Sequence, residues 1–254
     1  MIRLFISDID GCLTLPYQAF KLEPLSELAR LAGVAGRPGS HRLLPALSVC
    51  SGRAYPYVEA ISQLLGLQVP VLFEAGAGMF DPVTARRSWH PGIDSETMTA
   101  LKQILVFIEE LIDGTPLAID HAKQTQVAVV GTDGAKLAWA TRKIDKFVRS
   151  EYPNFRTYDT PISIDIVASH LTKPSGLKWL AETINLDLSE MAYIGDTGGD
   201  IEALAIVGRS YATANANDDV KSVVDLTTEA EDTEGVVSAY WDAVRMNEGE
   251  SKRP

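Results

Sequence analysis

Asp8-Ile9-Asp10-Gly11 follows, after Ser7, on the apolar run Leu4–Ile6. On a strand, residues i and i+2 face the same way, so both carboxylates would project from one strand end. Two such carboxylates repel each other; a metal and a positively charged partner would make the pair tolerable. Read alone, a solvated loop with a turn glycine also accounts for these residues. Three more groups have chemical potential. Ser51-Gly52-Arg53 places a hydroxyl, a glycine and backbone amides where a strand would open into a helix, a suitable cradle for phosphate, although Ser-Gly is also a common turn. Lys173 precedes a helical stretch; a lone lysine is ordinarily just solvated. Gly195-Asp196-Thr197-Gly198-Gly199-Asp200 holds two carboxylates in a glycine-rich turn, oxygen ligands suited to Mg²⁺.

These groups need a scaffold that brings them to one edge. Strands are expected at Leu4–Ile9, Leu43–Cys50 and Val69–Glu74, with helices at Pro24–Ala32 and Tyr55–Leu65 and a flexible stretch at Ala75–Gly78. This alternation argues for a parallel α/β sheet covered by helices, whose ligands bind at the carboxyl ends of its strands. The pattern then changes to helix, two strands, helix, two strands: Ser95–Ile112, Leu117–His121, Gln126–Val130, Gly134–Glu151, Phe155–Tyr158 and Ile162–Ala168. After Lys173 the α/β pattern resumes, with strands at Met191–Ile194 and Ser210–Thr213, helices between them, a last helix at Gly235–Val244 and a frayed polar tail at Arg245–Pro254. The expected organisation is an α/β core at 1–83 and 169–254, interrupted by an α+β insertion at about 84–168.

Composition narrows the class. The 254 residues are 46% hydrophobic and 22% charged, ordinary for a globular chain with a real core. The formal charge of −11, with no basic stripe, speaks against nucleic acid as a partner. No apolar run approaches the ~20 residues that span a bilayer, and no signal peptide is evident, so the cytoplasm is the expected compartment. Cys12 and Cys50 show no metal spacing and are expected to be free thiols, Cys12 beside the site where an alkylating agent would reach it.

Taken together and in order, Asp-x-Asp-Gly, Ser-Gly-Arg, Lys and Gly-Asp-x-x-x-Asp resemble the four motifs of the haloacid dehalogenase superfamily. The likeness covers nearly the whole chain. The insertion is similar to the type-IIB cap of Cof-type phosphatases, as are Phe73-Glu74-Ala75-Gly76-Ala77 and the run Ala214–Lys221. Within that group the compact cap and the opening residues look most like archaeal-type phosphoglycolate phosphatases, with sucrose-phosphate phosphatases as relatives. The resemblance implies a Rossmann-like parallel-sheet core with an inserted α+β cap. It also implies an Mg²⁺-dependent phosphatase that acts on a small phosphorylated metabolite through an aspartyl-phosphate. Asp8 would be the nucleophile and Asp10 the general acid and base. Mg²⁺ would be held by Asp8, the Asp10 carbonyl and Asp196, with Asp200 orienting a metal-bound water. Ser51 would hold phosphoryl oxygens and Lys173 would offset charge against Asp8.

Gly199 and Ala75 stand where the family usually has Asn, and Thr172-Lys173-Pro174 where it tends to have Asn-Lys-Gly. The first departure bears on metal support, the second on a loop near the substrate. For the part of the substrate that is not transferred, the candidates are Gly52, Arg53, His121, Lys123 and Asp165. A cation there would suit a carboxylate such as that of phosphoglycolate, and Asp165 would suit sugar or glycerate hydroxyls. Two other readings stay open: a catalytically weakened metabolite-binding protein, and a phosphomutase. Oligomeric state is left open as well.

Overall fold

The computed structural model describes residues 1–251. Strand β1 (Leu4–Ser7) is buried at every position, which suits the middle of a sheet covered on both faces. After it come α1 (Leu22–Ala35), β2 (Ala46–Val49), α2 (Tyr55–Leu64) and β3 (Val71–Phe73). Next are β4 (Gly78–Asp81), β5 (Arg86–Trp89), α3 (Ser95–Ile112), β6 (Ala118–Ile119) and β7 (Val127–Val130). The chain continues through α4 (Gly134–Glu151), β8 (Phe155–Asp159), β9 (Ser163–Ala168), α5 (Lys173–Ile184) and β10 (Met191–Gly195). It ends with α6 (Ile201–Leu204), β11 (Arg209–Ala212), α7 (Asp218–Lys221), β12 (Leu226–Thr227) and α8 (Asp232–Ser251).

The main sheet is parallel, five-stranded and ordered β12-β11-β10-β1-β2. Strand side chains alternate between its two faces. Phe5, Leu47, Val49, Ala192, Ile194 and Tyr211 pack under α1, α2 and α8. Leu4, Ile6, Ala46, Tyr193 and Ala212 pack on the other face against α5, α6 and α7. The order of the strands places β1 and β10 side by side, so the chain segments leaving their carboxyl ends become neighbours. No helix among the described residues is long and apolar enough to cross a membrane.

A second, four-stranded antiparallel sheet, β6-β7-β9-β8, falls between residues 118 and 168. Its core joins Val127, Val129, Ile164 and Ile166 to the apolar stripes of α3 and α4. Both helices begin where an aspartate caps them: Asp94 accepts from the Thr97 amide and Asp133 from the Lys136 amide.

Four expectations need correction. β3 does not extend the parallel sheet. It touches β2 through a single bridge, Cys50 to Leu72, and otherwise pairs antiparallel with β4 in a three-stranded sheet completed by β5. The stretch Ala75–Gly78 is not loose but a 3₁₀ turn at Glu74–Gly76 leading into β4. The insertion boundary expected at residue 84 falls in the turn between β4 and β5, and β5 pairs with β4. The expected frayed tail is instead the end of α8: buried Asn247 bonds to both the carbonyl and the amide of Ile2 and to the Leu43 carbonyl. One polar side chain thus satisfies backbone groups beside β1 and before β2. Residues 252–254 of that expected tail lie outside the described residues.

Candidate active site

Asp8 leaves the end of β1 with its amide donating to the Ile194 carbonyl of β10 at 3.0 Å. That bond carries the sheet ladder one residue further and aims the carboxylate into the gap between the two strands. Lys173, the first residue of α5, is delivered from the other side. Thr172 and Ser175 form a capping box that fixes where the helix starts. Lys173 Nζ lies 3.0 Å from Asp8 Oδ2 and 2.6 Å from Asp200 Oδ1.

Asp200 is wholly buried and its oxygens are both engaged. Oδ1 also accepts from the Tyr193 hydroxyl at 2.8 Å, and Oδ2 accepts from the Asp196 and Thr197 amides and the Thr197 hydroxyl at 3.2–3.3 Å. Burial pushes the Asp200 carboxyl upward, but Lys173 and the surrounding donors outweigh it and hold it below its ordinary range. Burial alone would lower the Lys173 ammonium; Asp200 and Asp8 instead hold it well above its usual value. Asp200 is therefore an anchor for the lysine and for the turn that presents Asp196.

Asp8 and Asp196 are different. Each has one buried oxygen, Oδ1, with no hydrogen-bond partner. Burial raises the Asp8 carboxyl, and Asp200 and Asp10 add to the rise against the pull of Lys173. Burial followed by Asp8 and Asp200 raises Asp196. One oxygen from each of Asp8, Asp196 and Asp200 lies within 4.8 Å of the others. Two orphaned carboxylate oxygens in an all-oxygen cluster fit a hard divalent cation, which would supply the charge the protein lacks there. Gly11 makes room for this: its φ is +81°, and a Cβ on it would overlap the Asp196 carboxylate. The Gly11 carbonyl is held by Asn215 Nδ2 at 2.9 Å.

Asp10 is set apart from that cluster. Its carboxylate is gripped by Arg53, Nε to Oδ2 and Nη2 to Oδ1, both at 2.6 Å. The guanidinium sits by the rings of Tyr57 and Tyr17, 4.9 and 5.4 Å from their centroids. Donating these hydrogen bonds to Asp10 raises the Arg53 pKa further. Ser51 is buried and its hydroxyl oxygen accepts from the Arg53 amide at 3.1 Å, which leaves its O–H to donate. A Cβ on Gly52 would meet nothing within 4 Å, so the backbone there is open to a ligand.

Asp8, Asp10, Ser51, Arg53, Lys173, Asp196 and Asp200 thus gather at the carboxyl edge of β1, β2 and β10. His121 and Asp165 bond to none of them. His121 is exposed in the turn before β7. Asp165 lies on the face of the four-stranded sheet away from α3 and α4, and its carboxylate is taken by Lys123 and by the Ser163 hydroxyl. Cys12 also departs from expectation: it is fully buried, and burial with the nearby Asp196 and Asp8 carboxylates pushes its thiol up, which removes it as an alkylation site. Tyr193, Thr197 and Glu74 were missed. Tyr193 shows as a lone hydroxyl in the apolar run of β10, and Glu74 as a carboxylate closing a buried strand.

Comparison with known proteins agrees with this geometry. Residues 115–239 match the family model described as haloacid dehalogenase-like hydrolase. A phosphoglycolate phosphatase of Methanosarcina acetivorans is 24% identical over 237 residues, covering 93% of this chain and 94% of that protein. One from Archaeoglobus fulgidus is 36% identical over 81 residues, 32% of this chain and 36% of that protein. A crystal structure from Thermoplasma acidophilum superposes with a TM-score of 0.74 at 22% identity, covering 96% of this chain and 98% of that one. A haloacid dehalogenase-like hydrolase from Bacteroides thetaiotaomicron does so at 0.72 and 17% identity, covering 95% and 99%. With the four motifs assembled at one sheet edge and relatives matched along most of its length, the chain is similar to the haloacid dehalogenase-like hydrolases in sequence and in fold.

Proposed function

We propose that this chain is a magnesium-dependent phosphatase that hydrolyses a small phosphate monoester through an aspartyl-phosphate on Asp8. The observation that carries the reading is the Asp8 carboxylate: Lys173 holds one oxygen at 3.0 Å, and the other is buried with no protein partner. A cluster this rich in buried carboxylate lacks positive charge. Asp8 and Asp196, with the Asp10 carbonyl, would hold Mg²⁺, which when bound supplies that charge beside the phosphoryl group.

The protein's own groups divide the remaining work. An ionised Asp8 oxygen attacks phosphorus, and the ester oxygen leaves with the proton that Asp10 provides. Asp10 then takes a proton from the water that attacks the aspartyl-phosphate, which returns Asp8 and releases phosphate. Arg53 fixes the plane of the Asp10 carboxylate through two hydrogen bonds, so the proton is presented from one direction. The Ser51 hydroxyl and nearby amides orient the phosphoryl oxygens, and Lys173 keeps the charge on Asp8 tolerable. Phosphoryl transfer needs mainly such positioning and charge compensation.

Phosphoglycolate, or a sugar or glycerate phosphate, is the substrate class this reading favours. The relatives named as phosphoglycolate phosphatases support it, as does a partly exposed Arg53 able to face a carboxylate. The test is phosphate release from a panel of two-carbon acid, glycerate and sugar phosphates, with and without Mg²⁺. Metal-dependent release that favours one of these classes is expected. A folded protein that releases no phosphate from any ester would overturn the reading, and transfer to a second sugar position instead of water would make it a mutase.

A further inference from the structure

Glu74 is fully buried, although no Lys or Arg among the described residues pairs with it. Its carboxylate instead reaches about fifty positions along the chain, to the loop between β6 and β7. The Gln124 amide donates to Oε1 and Oε2 at 3.0 and 3.1 Å, and the Thr125 amide and hydroxyl both donate to Oε2 at 2.6 Å. A carboxylate is costly to bury, and neutral donors alone satisfy this one. The backbone beneath it is strained as well. Glu74 and Ala75 are consecutive side-chain-bearing residues with φ of +48° and +55°. Such conformations persist where the surroundings over-determine them, and they cluster at functional sites.

The same turn is fastened to the catalytic loop. The Glu74 amide donates to the Arg53 carbonyl at 2.9 Å, and the Ala75 amide to the Ser51 carbonyl at 2.8 Å. Gly76 lies against Gly176 in the first turn of α5, so close that a Cβ on Gly76 would sit 2.7 Å from the Gly176 Cα. That helix turn begins with Lys173. The turn therefore joins the residues that hold the phosphoryl group and the lysine beside the nucleophile to one loop of the inserted layer. The loop carries His121, which is exposed, and Lys123, whose buried ammonium is bound to Asp165 and Gln126.

We propose that Glu74 is a positioning residue for specificity: it clamps the 120–126 loop to the Ser51–Arg53 loop and so fixes the wall against which the leaving group is selected. The clamp rests on the phosphatase reading for its consequence, and on hydrogen bonds alone for its existence. Glu74→Gln turns one acceptor oxygen into a donor facing amides that also donate. Thr125→Val removes a single donor and nearly preserves shape, which covers the case in which the Glu74 variant folds poorly.

Two readouts test it. Hydrogen exchange at the Gln124 and Thr125 amides should rise by about 10-fold or more in Glu74→Gln, and less in Thr125→Val, as the loop opens locally. Kinetics with the best ester of the panel should show KM raised by about 10–100-fold in Glu74→Gln, with kcat within about threefold, the scale of losing charge-assisted bonds. Acetyl phosphate, whose leaving group is small and needs no selection, should keep its KM within about threefold. Unchanged exchange at the two amides in both variants would overturn the clamp, and so would an equal loss on acetyl phosphate and the preferred ester. If the wild type released no phosphate, the phosphatase reading would fall, while the exchange result would still decide the clamp.

Discussion

The edge of the five-stranded sheet and the face of the four-stranded sheet both carry charge, but they balance it differently. At the edge, Asp8 and Asp200 share Lys173 as their buried cation, with the Asp196 carboxylate beside them. On the other sheet Asp165 has Lys123 to itself, and on the helix above it Asp145 has Arg149. A balanced pair explains its own presence. A buried excess of negative charge works against folding and fits a site that a cation would complete. The contrast separates side chains placed for chemistry from side chains placed for structure.

Removing the shared cation should break the contrast most severely. Lys173→Met leaves two buried carboxylates unpaired and is expected to cost about 3–5 kcal/mol of stability, together with nearly all turnover. Urea unfolding measures it. A loss below about 1 kcal/mol, the level of an exposed ion pair, would put the edge on the same footing as the other sheet.

Asp10 sharpens the comparison within the edge itself, because it stands outside the buried cluster and is held by Arg53. Asp10→Asn is expected to slow turnover by about 10²–10⁴-fold for alkyl phosphates and much less for p-nitrophenyl phosphate, whose leaving group needs little protonation. An equal loss on both substrates would remove Asp10 as the proton donor.

Proton linkage gives a third test. The Asp8 and Asp196 pKa values are raised in the fold, so these groups contribute stability that is present below the ordinary carboxylate range. That contribution is lost as pH rises through their elevated values. Asp200 is lowered and acts oppositely, losing its contribution only in stronger acid. Metal-free protein should therefore lose stability between about pH 4 and 8. Magnesium at tenfold its dissociation constant should restore about 3–5 °C of melting temperature at the alkaline end and little at pH 5. An equal shift at both pH values would contradict the assignment of Asp8 and Asp196 to the metal.

Gly199 should give the smallest effect. It lies in the 3₁₀ turn Gly198–Asp200 outside the left-handed region, and a Cβ on it would meet only Thr197 Oγ1 at 3.7 Å. Asparagine fits there without strain. Gly199→Asn is expected to lower the magnesium needed for half-maximal rate by about 10-fold, the scale of support from groups behind a metal ligand. A requirement equal to or above that of the wild type would show that Gly199 marks no missing support.

The same contrast explains what could be read from sequence. The meeting of Asp8, Asp10, Ser51, Asp196 and Asp200 at one edge was legible because each follows a strand of an expected parallel sheet, whose carboxyl ends lie together; Lys173 follows a strand of the antiparallel sheet and stood out only through the family resemblance. The long helices α3 and α4 were legible in extent, Ser95–Ile112 and Gly134–Glu151, and the structure gives both the same bounds. His121 and Asp165 were not separable from ordinary surface charge, since the Lys123–Asp165 pairing depends on strand register in an antiparallel sheet. The role of Asp200 as an anchor, the grip of Arg53 on Asp10 and the reach of Glu74 to Thr125 are long-range contacts that no local spacing encodes. The docking of α8 was hidden for the same reason, because one asparagine in a polar stretch decides it.

The covalent role of Asp8 is tested most directly by trapping. The enzyme is mixed with its best ester and Mg²⁺, quenched in acid within one turnover and digested, and the peptides are weighed. The covalent route requires one added phosphoryl group on the peptide that contains Asp8, lost on treatment with hydroxylamine and absent in Asp8→Asn, which should be folded and inactive. Turnover in wild type with no phosphorylated peptide at any quench time, together with an active Asp8→Asn, would contradict it.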